Sequence, residues 1–218
     1  MGVRNILSIN ELSKEEVLAL IEKAEYFKEV LERGLKKVPA LRGKTIVNLF
    51  YEPSTRTRTS FEIAAKKLSA DVINFSPSSS SLKKGESELD TIKTILAMKV
   101  DLAVIRHTDS GFVKYFSDNI DIPVINAGAG KHEHPTQALL DIYTIYKHFN
   151  RLSNIKIAIV GDRLNSRVAR SDIMLFKKMG FDVCTVAPTM LLAENMEFFN
   201  VKNFSCIDDV IEESDVIY

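Results

Sequence analysis

Apolar positions along this chain alternate between two periods, and the alternation runs from end to end. Ser13 and Glu16 bracket a capping box. Val17, Leu20, Ile21, Ala24, Phe27 and Leu31 then recur at helical spacing as far as Gly34. The segment KTIVNLFYE reads as a short buried strand ended by Pro53, followed by a helix over about residues 58–68 and a second strand in ADVINFS. A polar loop precedes the helical SELDTIKTILAMK, and a third strand, VDLAVIRH, ends on Arg106 and His107. SGFVKYFSDNI predicts a helix, IPVINAG a fourth strand, and HPTQALLDIYTIYKHF a helix with proline in its first turn. After NRLSN, a candidate linker, the pattern restarts. IKIAIVGD and FDVCTVAP read as strands and residues 167–179 and 190–199 as helices, with FSCI and DDVIEESDVIY beyond them. Strands alternating with helices predict right-handed βαβ units. The expected fold class is α/β: two domains, residues 1–150 and 151–218, each a parallel sheet flanked by helices. The final SDVIY is a strand pattern without a turn or cap after it, which leads us to expect a second domain that continues beyond residue 218.

One polar run interrupts this pattern where chemistry is expected. Ser54, Thr55, Arg56, Thr57, Arg58, Thr59 and Ser60 are consecutive hydroxyl or guanidinium donors without a negative charge, between a strand and a helix. Such a junction exposes backbone N–H groups and the positive end of the helix dipole, so it suits an anion. Arg56 adds a fork able to hold phosphate. A solvated helix start capped by serine is the competing reading. SSSSLKKGE, with Ser80, Ser81, Lys83 and Lys84, is a second donor-rich loop, although a flexible basic loop is more often plain surface. Arg106 closes a strand at the carboxyl end, where α/β sheets bind ligands.

HEHPTQ carries His132 and His134, but no third metal ligand lies near in sequence. A polar-ligand role for His134 at a helix start, with Gln137 one turn on, is the better reading. IAIVGD lacks the G-x-G-x-x-G of a dinucleotide site, whereas Arg167 and Arg170 just beyond it could form a second anion site. No cofactor is expected.

Composition narrows the partners. Lysine plus arginine and aspartate plus glutamate both number 29, so the formal net charge is zero and neither nucleic acid nor an anionic membrane is expected. With only Cys184 and Cys206, neither a disulfide framework nor a cysteine-rich metal site is expected, and a reducing cytoplasm is the default location.

STRTRTSFE, KKGESELDT, VIRH, VINAGAGKHEHPTQALLD and VGDRLNSRVARS together resemble the carbamoyltransferases, most closely those that use aspartate. The resemblance covers essentially the whole chain. Ornithine carbamoyltransferases share STRTR and HPTQ, but KKGES, INAGAG and SRVARS look like the aspartate enzymes. It implies transfer of a carbamoyl group from carbamoyl phosphate to the amine of L-aspartate, early in pyrimidine biosynthesis. Ser54, Thr55, Arg56 and Thr57 would cradle the phosphate, and Arg106 would bridge it to the carbamoyl oxygen. Thr55 and His134 would share that oxygen, and Gln137 would hold the carbamoyl nitrogen. Ser80 and Lys84 would enter from a neighbouring subunit of a homotrimer, which regulatory chains or dihydroorotase could join. Lys84 and Arg167 would bind aspartate, and Glu52 would help lock domain closure. Val168 stands where the family often has a small polar residue. The resemblance also implies a further C-terminal third, carrying a second arginine-bearing substrate loop. Transfer to ornithine or another amino acid, and a non-catalytic carbamoyl-phosphate-binding assembly module, are the alternatives.

Overall fold

A computed structural model describes residues 5–76, 87–191 and 199–218. The elements are α1 (Lys14–Glu32), β1 (Thr45–Phe50), α2 (Thr55–Lys67), β2 (Asp71–Phe75), α3 (Glu88–Leu96), β3 (Leu102–His107), α4 (Phe112–Asp118) and β4 (Val124–Ala129). They continue as α5 (Pro135–Phe149), β5 (Lys156–Val160), α6 (Arg167–Met179), β6 (Asp182–Val186), β7 (Lys202–Phe204) and β8 (Val216–Ile217). All strand pairs are parallel, in two four-stranded sheets ordered β2-β1-β3-β4 and β7-β6-β5-β8. The α/β class with two parallel sheets is as the sequence predicts. Among the described residues no helix is long and apolar enough to cross a membrane.

Two compact units carry these sheets: Ala19–Gly130 with the segment ending at Leu7, and Lys131–Tyr218 with Ser8–Leu18. This division falls about one helix earlier than residue 150. The reason is that α5 packs on α6 and so groups with the second sheet.

In the first unit, strand alternation sorts side chains to two faces. Val47, Leu49, Ala103 and Ile105 form one core with Ile92, Val113 and Phe116 from α3 and α4. Ile46, Phe50 and Val104 form the other, with Ala65 and Phe61 of α2. Burial on both faces is what parallel pairing requires. Ile6 adds a parallel bridge to Ile125, an addition to the sheet that the short apolar segment around it does not announce.

In the second unit, Ala158, Val186 and Val210 pack together on one side of the sheet, and Ile173, Leu175 and Phe176 of α6 are fully buried. The segment Ser8–Leu18 is tied into this unit by two buried or half-buried charges. Glu133, 2% exposed, accepts from Ser8 Oγ at 2.7 Å and from the Ile9 N–H at 2.8 Å. Lys178 Nζ donates to the carbonyls of Ile9 at 2.6 Å and Leu12 at 2.5 Å.

The expected capping box is present: the Glu16 N–H donates to Ser13 Oγ at 3.2 Å, and the Ser13 N–H to Glu16 Oε2 at 2.8 Å. Ser13→Ala is expected to destabilise by about 1 kcal/mol, read as a lower denaturant midpoint at unchanged slope.

Three boundaries differ from expectation. α2 begins at Thr55, not near residue 58, so the polar run is itself the first turn of a helix. The strand expected in FSCI lies just upstream, at Lys202–Phe204, where it pairs with Cys184, Thr185 and Val186. The expected 190–199 helix begins as a single 3-10 turn at Thr189–Leu191, and residues 192–198 lie outside the described residues.

Candidate functional site

The chain leaves β1 toward β2 on one side of the first sheet and returns to β3 on the other, so β1 and β3 flank a switch in strand order. Open α/β sheets bind ligands in the crevice at the carboxyl ends of such strands. Both candidate anion binders of this unit are there. Ser54 is the N-cap of α2, in an extended conformation, and its hydroxyl does not cap the helix. No acidic residue occupies the first turn. Thr55, Arg56 and Thr57 follow within that turn, whose N–H groups have no intrahelical acceptor.

Arg106 sits opposite Phe50 across β1 and β3, and the Tyr51 N–H donates to its carbonyl at 2.9 Å. Its side chain, 11% exposed, is held by Glu52: Nη2 to Oε1 is 2.5 Å. Nη1 donates to the Ala127 carbonyl at 3.4 Å. Nε is buried without a hydrogen-bond partner among the described residues. A guanidinium fixed in this way with one unsatisfied donor is prepared for an anionic or carbonyl oxygen.

His107, next in the strand, was not singled out by sequence. Its Nδ1 accepts from the Asp109 N–H at 2.9 Å, which leaves the proton on Nε2, 3.2 Å from Glu88 Oε2. Its ring stacks on Phe112 at 3.8 Å between centroids. This histidine is a structural anchor for α3 and α4. Nearby, burial pushes the Tyr51 phenol upward, reinforced by the Glu88 charge. Gly130 ends this region with φ +49°; a Cβ there would lie 2.5 Å from Ser110 Oγ and 2.7 Å from the Thr108 carbonyl, so only glycine fits.

In the second unit, α5 and α6 both begin with candidate residues. His134 is the N-cap of α5, 6% exposed, and its N–H donates to Ser171 Oγ at 2.8 Å. Ser171 in turn donates to the Arg167 carbonyl at 2.9 Å, so one serine ties the starts of the two helices together. Thr136 Oγ1 lies 3.3 Å from His134 Nδ1. His132 is exposed while His134 is buried. Gln137, one turn into α5, donates from Nε2 to Asp141 Oδ1 at 3.0 Å.

Arg167 is the first residue of α6, after Ser166, whose hydroxyl caps the helix by accepting from the Ala169 N–H at 3.1 Å. β5 precedes it, and β5 lies between β6 and β8, at the second sheet's own switch in strand order. Arg163 in the same loop is buried and donates to Thr185 and Asn203. It braces the sheet, and burial holds its guanidinium below its usual range.

Ser54, Thr55, Arg56, Thr57, Glu52 and Arg106 therefore gather at one switch point, while His134, Gln137 and Arg167 gather at the starts of two packed helices. Ser80 and Lys84 lie outside the described residues. Sequence reading missed an acidic pair, Asp141 on α5 and Asp172 on α6, with the Tyr218 hydroxyl donating to Asp141 Oδ2 at 3.2 Å. Asp172 is fully buried, and desolvation together with the Asp141 charge pushes its carboxyl up to about 9.

Comparison with known proteins identifies the family. A sequence model described as aspartate/ornithine carbamoyltransferase, carbamoyl-P binding domain, matches residues 4–147. The catalytic subunit of aspartate carbamoyltransferase from Campylobacter hominis is 50% identical over 98% of this chain and 69% of its own length. The same subunit of Trichlorobacter lovleyi is 49% identical over 98% of this chain and 69% of its own. Among solved structures, aspartate transcarbamoylase of Trypanosoma cruzi in complex with carbamoyl phosphate and aspartate is 32% identical. It superposes with a TM-score of 0.89 over 99% of this chain and 71% of that one. The catalytic subunit of the M. jannaschii enzyme is 36% identical, with a TM-score of 0.85 over 99% and 73%. The chain belongs to the aspartate/ornithine carbamoyltransferase family, among the catalytic subunits of aspartate carbamoyltransferases.

Proposed function

We propose that this chain transfers the carbamoyl group of carbamoyl phosphate to the amine of L-aspartate, giving N-carbamoyl-L-aspartate and phosphate. The observation that carries the reading is Arg106: a guanidinium fixed by Glu52 at a switch point, with a buried Nε–H unsatisfied, beside the polar first turn of α2. Ser54, Thr55, Arg56 and Thr57 bind the phosphate through that turn. Thr55, Arg106 and His134 share the carbamoyl oxygen, and Gln137 accepts from the carbamoyl nitrogen. Arg167 takes an aspartate carboxylate. Ser80 and Lys84 come from a neighbouring subunit of a cytoplasmic homotrimer, with Lys84 reaching both substrates, and Glu52 helps hold the closed form.

The amine attacks the carbamoyl carbon, a C–N bond forms, and the oxygen becomes an oxyanion. Its collapse breaks the bond to the phosphate oxygen, and the departing phosphate accepts the amine proton. Fixed donors around the oxyanion contribute roughly 3 kcal/mol each. Holding the two substrates in reactive geometry contributes up to about 7–11 kcal/mol. A Thr136 hydroxyl donating to Nδ1, 3.3 Å away, would place the His134 proton on Nε2, the tautomer that can donate to the carbamoyl oxygen.

His134→Ala is expected to lower kcat by about 10²-fold with phosphate affinity retained, since it removes one oxyanion donor. Unchanged kcat overturns the assignment. The shared site is tested by mixing two inactive homotrimers, Arg106→Ala and Lys84→Ala. Hybrid trimers should regain activity, and none should appear if each site is built from one subunit.

A further inference from the structure

The side chain that Gln137 contacts bears on which ligand it can recognise. A carboxylate only accepts hydrogen bonds. Asp141, one turn along α5, therefore draws the Gln137 amide nitrogen to itself, with Nε2 to Oδ1 at 3.0 Å. The amide carbonyl oxygen is then the end turned away from Asp141. A carbamoyl nitrogen carries two N–H donors and needs an acceptor, so this is the orientation that suits it. A flipped amide would set donor against donor.

Asp141 is itself held. The Tyr218 hydroxyl donates to its Oδ2 at 3.2 Å. Asp172, fully buried on α6, lies beside Asp141 and the Tyr218 hydroxyl, and neither of its oxygens has a hydrogen-bond partner of standard geometry. Two carboxylates this close cannot both be ionised in a buried setting, so the deeper one keeps its proton. The Asp172 acid then donates to Asp141, which satisfies an otherwise orphaned group and leaves Asp141 as the anion.

We propose that Asp141, braced by Asp172 and Tyr218, is a positioning residue that fixes the Gln137 amide with its oxygen outward, and so selects an N–H-bearing carbamoyl phosphate over its methyl analogue, acetyl phosphate. The inference rests on Gln137 meeting the carbamoyl nitrogen. A polar site left unpaired by an analogue that lacks the hydrogen-bonding group discriminates strongly, whereas a site of ambiguous polarity does not.

The test is calorimetric binding of freshly prepared carbamoyl phosphate, acetyl phosphate and inorganic phosphate to the intact protein and its variants. The native protein should prefer carbamoyl over acetyl phosphate by about tenfold or more. Asp141→Asn, which keeps shape but lets either end of the Gln137 amide turn outward, should bring that ratio toward one while inorganic phosphate binds as before. Gln137→Ala should abolish the preference. If Gln137→Ala keeps it, the underlying role of Gln137 fails. If Gln137→Ala loses it but Asp141→Asn keeps it, the positioning role fails. Equal weakening of all three ligands in Asp141→Asn also overturns it, because a general structural loss would be the cause. Should Asp141→Asn not fold, Tyr218→Phe in the same assay is expected to lower the ratio, and an unaltered ratio there counts against the proposal.

Discussion

Replacing Arg106 by alanine is expected to lower kcat by at least about 10³-fold, the largest single effect in this protein. Two losses combine. The variant lacks the donor proposed to serve both phosphate and developing oxyanion, and it removes the guanidinium whose Nη2 lies 2.5 Å from Glu52 Oε1. With the pair 11% and 22% exposed, breaking this ion pair costs on the order of 3 kcal/mol. Arg106→Lys separates the two. It retains a positive charge for Glu52 but not the planar fork that reaches two oxygens at once. Its stability should return toward that of the native protein while kcat remains low. Steady-state kinetics and denaturant unfolding of both variants check this, and an active lysine variant would show that charge alone suffices.

The second large effect concerns stability and pH. Asp172, with its carboxyl pushed up to about 9 by burial and by Asp141, holds a proton in the folded state that the unfolded chain has released. Between the ordinary carboxylate range near pH 4 and about pH 9, the native state therefore binds more protons than the unfolded one, so stability falls as pH rises through that window. The slope for one such group is about 1.4 kcal/mol per pH unit, which amounts to several kcal/mol across the window. Carboxylates held low by partners, such as Asp101 beside Lys44 and Glu62 beside Lys66 and Asn74, act in the opposite sense and only at the acid end. Asp172→Asn keeps the donor to Asp141 without an ionisable group. Amide hydrogen exchange of α5 and α6 should be pH-sensitive beyond its intrinsic chemistry in the native protein and nearly flat in this variant. Equal pH dependence in both would mean that Asp172 is ionised throughout.

What could be read from sequence follows what is local. The span 167–179 matches α6 because Ser166 caps one end and Gly180, with φ +87°, closes the other. Arg106 was identifiable because a charged residue ending an apolar strand is conspicuous, and the polar run because seven donors in a row lack a core-packing explanation. Its helical start was not: three of the first five residues of α2 are threonine, whose local preference for other conformations is overridden by packing of Phe61 and Ala65 on the sheet. The strand at Lys202–Phe204 eluded the apolar pattern because Asn203 is retained there by hydrogen bonds with Thr185 and Arg163. The acidic pair had no one-dimensional signal. Asp141 and Asp172 are 31 residues apart and meet only because α5 packs on α6. The same holds for Glu133, whose partners at Ser8 and Ile9 lie more than 120 residues away.

Giving the intact protein carbamoyl phosphate with L-aspartate and L-ornithine together, and quantifying both products by mass spectrometry, decides which amine it carbamoylates. N-carbamoyl-L-aspartate is the expected product, with citrulline at background. Citrulline as the main product would place the chain with the ornithine enzymes, and bound carbamoyl phosphate without either product would reduce it to an assembly module.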